Sequence, residues 1–167
     1  MKKCVLLILI LSLLTGIWGC GQQSEEIQKP VHFYYLADLT AEEDFEHVIV
    51  KEIAEGAELS EEELLNRYLA GPTAEETINP FPNGLSVTYL RKQESKIILI
   101  LSPELLELSG LDLTLACACL ASTVFEQYSC QSLEIIVNGH LIEGKPSIII
   151  SREDLVLYDG SYASESD

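Results

Sequence analysis

Basic residues are scarce in this chain. Lysine and arginine number 10 against 27 aspartates and glutamates, a formal net charge of −17. A surface this acidic repels phosphate backbones, which excludes nucleic-acid binding. Glycine and proline are few, 10 and 6, while 47% of the residues are hydrophobic, which excludes a fibrous repeat or a largely disordered chain. Histidine occurs three times, at His32, His47 and His140, and no Gly-x-Ser-x-Gly, His-Glu-x-x-His or phosphate-binding glycine loop is present. No catalytic, metal-binding or cofactor-binding residue is therefore assigned. Asp38, Glu42, Glu43 and Asp44 lack the spaced oxygen ligands of an EF-hand loop and read as a solvated acidic turn. A mature membrane span is lacking too. Val5 to Trp18 carries no charge over 14 residues, short of the roughly 20 that a bilayer requires.

That apolar run suits a secretory signal instead. Lys2 and Lys3 precede it, and it closes as Ile17-Trp18-Gly19-Cys20 before the polar residues Gln22 to Glu26. The ending resembles the lipobox of bacterial lipoproteins, which implies cleavage after residue 19 and diacylation of Cys20. Two acyl chains give stable anchoring where one does not. The alternative is an ordinary secretory peptide with an incidental cysteine. Cleavage removes two lysines and no acid, leaving 8 basic against 27 acidic residues, a formal −19. Beside anionic headgroups such a domain stands off the membrane, and residues 20–30 supply a lipidated cysteine and a polar tether. The expected location is the extracytoplasmic face of the cell membrane.

The rest of the chain alternates strand and helix signals. Val31 to Ala37 and His47 to Ile53 read as strands. Ser60 and Glu63 have capping-box spacing, and Glu61, Glu62 and Glu63 face the positive end of the helix they open. Leu64, Leu65, Tyr68 and Leu69 form its apolar stripe, and Gly71-Pro72 ends it. Residues 73–83 read as a loop. Leu85 to Leu90 and Lys96 to Leu101 are strands joined by a polar turn at Arg91 to Ser95, and the apolar run Ile97 to Leu101 belongs inside a sheet. Pro103 to Leu108 is a short helical turn. A long small-residue helix follows from about Leu111 to Tyr128, then a strand at Leu133 to Val137, the Asn138-Gly139 turn and a last strand at Ser147 to Ser151. The expected architecture is one α+β domain over residues 31–158, a mixed or antiparallel sheet with both helices packed on one face. Residues 159–167 are a polar tail.

Cys117 and Cys119 lie about 200° apart around a helix, which opposes a shared metal ion or a mutual disulfide. Buried thiols, a Cys119–Cys130 disulfide and a metal site with Cys130 and His140 remain the three readings. From Glu42 to Glu63 there are ten acids and one base, Lys51. Glu61, Glu62 and Glu63 are thus a candidate interaction patch for a basic partner, or a solubilising face.

The segment Glu63-Leu64-Leu65-Asn66-Arg67-Tyr68-Leu69-Ala70-Gly71-Pro72-Thr73 resembles the Leu-Leu-x-x-Leu-x-x-Gly-Pro-Thr signature of the GerMN domain, the sporulation and spore germination domain. Phe81-Pro82-Asn83-Gly84, the segment Leu99 to Leu105 as a strand leading into Ser-x-x-Leu, the small-residue helix and Ile135-Ile136-Val137-Asn138-Gly139 follow in that family's order. The resemblance implies a fold similar to ring-building motifs, a lipid-anchored or membrane-tethered protein of a Gram-positive envelope, and no established catalytic residue. The best-known members carry two such domains in tandem. The function implied is a non-enzymatic lipoprotein that associates with an envelope protein. The alternative is a lipoprotein that binds a small ligand or the cell wall.

Overall fold

The computed structural model describes residues 30–40, 48–54 and 59–155. Residues 1–29, which include the expected signal segment, Cys20 and the expected tether up to residue 29, lie outside the described residues, as do His47, most of the acidic stretch after Thr40, and residues 156–167.

Among the described residues seven strands divide between two sheets, where one sheet was expected. The first sheet has the order β2-β1-β3, with β1 at Val31–Ala37, β2 at Ile49–Ala54 and β3 at Thr77–Ile78. The second has the order β4-β5-β6-β7, with β4 at Val87–Gln93, β5 at Lys96–Leu101, β6 at Ser132–Val137 and β7 at Ile148–Ser151. All pairs are antiparallel except β5 with β6, which run parallel from Lys96↔Ser132 to Leu101↔Val137. A parallel pair needs a crossover, and the chain between them contains helix α2, Gly110–Gln127, preceded by a 3-10 turn at Pro103–Glu107. Helix α1 is Glu61–Leu69. The α+β class and most element positions match the sequence reading.

Three local differences have simple causes. β4 runs on through Arg91, Lys92 and Gln93, so the turn shrinks to Glu94-Ser95, with Glu94 at a positive φ of 40°. Charged residues fit there because that stretch of the strand faces solvent. The loop after helix α1 contains the two-residue β3, which pairs with Leu36 and Ala37. Finally, α2 is buried nearly all round. Leu113, Ala116, Cys117, Cys119 to Phe125 are all inaccessible, so the helix has neighbours on both sides. Its small side chains permit that double approach.

Helix α2 also completes β1. β3 reaches only the end of that strand, so its remaining edge would leave backbone polar groups open. The helix supplies partners: Tyr34 N–H donates to Thr123 Oγ1 at 3.0 Å, and the Gln127 side-chain amide donates to the His32 carbonyl at 3.2 Å. From helix α1, the Tyr68 hydroxyl donates to the Tyr34 carbonyl at 2.7 Å. Thr123 also hydrogen-bonds Tyr68. Tyr34, Thr123 and Tyr68 thus close a small ring joining the first strand to both helices.

The core is one continuous cluster linking both sheets. At its centre Phe33, Tyr35, Tyr68 and Phe81 pack with successive ring centroids 5.1 to 6.4 Å apart. Each fully buried side chain of this size contributes about 1.5–3 kcal/mol. Tyr35 adds a polar tie by donating to the Tyr68 carbonyl at 2.8 Å.

Candidate functional site

The residues of the signature segment hold the fold together. Ser60 and Glu63 form the expected capping box: the Glu63 amide donates to Ser60 Oγ at 3.3 Å and the Ser60 amide donates to Glu63 Oε2 at 2.9 Å. Leu65, Tyr68 and Leu69 are buried. Asn66 accepts from the Val87 amide at 2.7 Å, tying α1 to β4. Gly71 has φ 117°, and a Cβ there would sit 2.9 Å from Asn79 Nδ2. That amide donates to the Leu69 carbonyl at the helix end, and the Phe81 amide donates to Asn79 Oδ1. After Pro72, the Thr73 hydroxyl donates to the Glu52 carboxylate at 2.6 Å, joined by the backbone amides of Thr73 and Ala74. Glu52 on β2 therefore clamps the turn that the Gly-Pro-Thr sequence makes.

The acidic candidates are all exposed on the first turn of α1. Glu61 pairs with Lys92 of β4 and Glu63 is spent on the cap. The hydrogen bonds from Ser60 hold the Glu63 carboxyl below the usual glutamate range. The patch is thus partly structural, which the charge count in the sequence could not show.

Cys117, Cys119 and Cys130 are buried free thiols. Cys119 faces the Tyr35–Tyr68 side and Cys117 faces Glu143, as a 200° separation requires. Burial pushes both Cys117 and Cys119 up to about 12, so neither is a thiolate nucleophile at neutral pH. His32 Nδ1 lies 2.6 Å from Glu126 Oε1, and Lys51 Nζ lies 3.8 Å from the same oxygen. The His32 contact holds the Glu126 carboxyl below its ordinary range. This cluster bridges β1, β2 and α2 at the surface. His140 is exposed in the turn after β6. Among the described residues no group of three or more His, Cys, Asp or Glu is placed to hold a metal ion.

Two clefts remain. One, of about 250 Å³, lies beside the signature helix between Asn66, Asn79 and the Pro82–Ser86 turn. The other, of about 360 Å³, is a trough between α2 and β7. A tight turn closes one end of this trough. Ile142 and Lys145 pair across Glu143 and Gly144, whose φ values are 47° and 81°, the pattern of a type I′ turn. The turn delivers Glu143 Oε1 to the Gly110 amide at 2.7 Å, capping a helix whose own N-cap residue, Ser109, makes no side-chain cap bond. At the other end of α2, Arg152 donates to the carbonyls of Phe125, Tyr128 and Cys130 while its guanidinium stacks on Phe125. Sequence reading missed the trough. The signal was available in the Ile-Ile-Ile run of β7, too apolar for an edge strand with one solvated face.

This arrangement, two sheets around a small-residue helix with the Gly-Pro-Thr turn clamped to β2, is the fold of a GerMN domain. The chain is similar to the tandem GerMN domains of the sporulation protein GerM from Bacillus subtilis, with 18% identity and a TM-score of 0.56. The match covers 80% of this chain and 49% of that one, so this chain spans about half the length of the tandem protein. The first GerMN domain of the same protein matches at 19% identity and a TM-score of 0.58, over 75% of this chain and 99% of that domain. No protein-family model matches the sequence, and no curated protein does either. Among the described residues no helix is long and apolar enough to cross a membrane.

Proposed function

We propose that this chain is a non-catalytic lipoprotein, anchored through Cys20 on the extracytoplasmic face of the membrane, whose GerMN-like domain serves protein association at a Gram-positive cell envelope. The observation that carries the reading is the fold itself: one solved protein with a similar fold is a sporulation protein of Bacillus subtilis, which supports a sporulation setting for this chain. Two further features support association over turnover. The thiols are buried and held protonated, and the signature residues serve the fold. Ring-building motifs, which the domain resembles, would associate by setting the helical face of one copy against the sheet side of the next, a heterologous contact able to close a ring. At a formal −19 the domain repels itself, so association belongs with a partner or at high membrane density. The exposed acids Glu61 and Glu62 are offered as one contact. Glu63 is set aside because its replacement would break the helix cap.

The test is crosslinking in intact cells followed by membrane fractionation. The native chain is expected in the membrane fraction with a discrete crosslinked product. Cys20→Ser should release the chain or leave it unprocessed, and Glu61→Lys with Glu62→Lys should weaken the crosslink while the fold persists. A lipidated Cys20→Ser protein would refute the anchor. Specific turnover of an envelope substrate by the purified protein would refute the non-enzymatic reading.

A further inference from the structure

The inner faces of β5 and β6 are sealed: Ile97, Leu99, Leu101, Leu133, Ile135 and Val137 are all buried. The inner face of β7 is not. Ile148 and Ile150 are only half-buried and, with Leu113, Cys117 and Ala118 of α2, form the walls of the 360 Å³ trough. Its apolar lining is aliphatic. Two exposed leucines lie close in sequence to lining residues, Leu111 at 70% and Leu141 at 61% of full exposure.

The surrounding charge is mostly negative. Glu143 and Asp154 line the trough, Asp112 and Glu153 are exposed next to lining residues, and Lys145 is the one base among the lining residues. Arg152 is engaged with the carbonyls at the end of α2. Glu143 also acts on Cys117 at the trough floor, so the rim carboxylate field reaches inside.

β7 is an edge strand of its sheet. The Arg152 amide donates to the Gln131 carbonyl, and backbone groups alternate sides along a strand. Ile149, three residues earlier, therefore turns its N–H and C=O away from β6. Its side chain is 59% exposed. A strand laid along this edge would place every second side chain over the trough, in line with Ile148 and Ile150.

We propose that the trough and the β7 edge together bind an extended, cationic segment of a partner protein, added as a strand with its aliphatic side chains seated between α2 and β7. The aliphatic walls select the side chains over the trough, and Glu143 and Asp154, on the elements that follow β6 and β7, select lysine or arginine at the ends of the segment. This goes beyond the association reading, since it needs no contact between copies of the domain and does not use Glu61 or Glu62.

The test is fluorescence anisotropy on the full chain in detergent with three labelled, capped heptapeptides. The lysine–valine peptide has valine at alternate core positions between lysine ends, the second has the same core between glutamate ends, and the lysine–serine peptide has serine in place of valine. The lysine–valine peptide is expected to bind at least tenfold more tightly than either control. Ala118→Trp, which fills the trough from a half-exposed position, should weaken it at least tenfold. Ile149→Pro removes the outward N–H without taking a bond from β6 and should weaken it about fivefold. Far-UV circular dichroism checks that both variants fold. Equal binding by the lysine–serine peptide would reduce the effect to bulk charge and overturn the proposal. So would native affinity in both folded variants.

Discussion

Replacing Thr123 by valine tests the polar ring that joins β1 to the two helices. The change keeps the side-chain shape and removes one hydroxyl. Thr123 is fully buried, so water cannot take the place of its oxygen. The Tyr34 amide, which donates to that oxygen at 3.0 Å, loses its partner, and the Tyr68 hydroxyl loses a donor. An orphaned buried polar group costs about 1–3 kcal/mol. Tyr34 is half-buried, so about 1.5 kcal/mol is expected. At roughly 4 °C per kcal/mol for a domain of this size, the melting temperature falls by about 6 °C. Tyr68→Phe, which strips the donor from the Tyr34 carbonyl, should cost a similar amount. Because the three residues form one network, the double variant should lose less than the sum, by about 0.5–2 kcal/mol. Urea denaturation of the polypeptide from Gly21 onward, followed by far-UV circular dichroism, measures all three; Trp18, the one tryptophan, is absent from that polypeptide and gives no signal. Additive losses, or a Thr123→Val loss below about 0.3 kcal/mol, would show that the ring does not couple strand to helix.

Gly71→Ala should destabilise the domain by about 1–3 kcal/mol for backbone strain at φ 117°; displacement of Asn79 from the Leu69 carbonyl adds about 1 kcal/mol. Thermal unfolding reads the sum, and an unchanged melting temperature would mean that the turn relaxes freely. Alkaline pH should also weaken the fold. Burial raises the hydroxyls of Tyr35 and Tyr68 above the ordinary value of 10.0. Their stabilisation is complete below pH 10 and lost as pH rises above it, by about 1.4 kcal/mol per unit for each phenol. The urea midpoint should drop between pH 8 and pH 11, and Tyr68→Phe should flatten the slope.

Local signals carried most of the element map. The Ser60–Glu63 spacing, the Gly71-Pro72 stop and the Asn138-Gly139 turn each state a hydrogen-bond or backbone requirement met within four residues. What stayed illegible is non-local. Thr123 and Gln127 read as ordinary helix residues until β1 lies beside them, 89 and 95 positions away in sequence. Glu143 has no local reason to cap a helix that begins at Gly110. The split into two sheets rests on which edges α2 covers, and hydrophobic periodicity says nothing of edges. Of the candidate site, the exposure of Glu61 to Glu63 was readable, but the pairing of Glu61 with Lys92 was not. The trough depends on how far α2 extends over the sheet, a distance that no spacing in the sequence encodes.

The dependence of β1 on α2 bears on how a newly made chain reaches its native state. A chain that emerges amino-terminus first presents β1 and β2 early, as an aromatic hairpin with one edge open. Its partners, Thr123 and Gln127, emerge some ninety residues later. Such long sequence separation slows folding, and for that interval the open edge is an aggregation hazard. The acids between Glu42 and Glu63 lie in the connection between its strands, on β2 and directly after it in the sequence. Whatever they later bind, they give the half-emerged chain a strong like charge, and two such intermediates repel each other before their strands can pair.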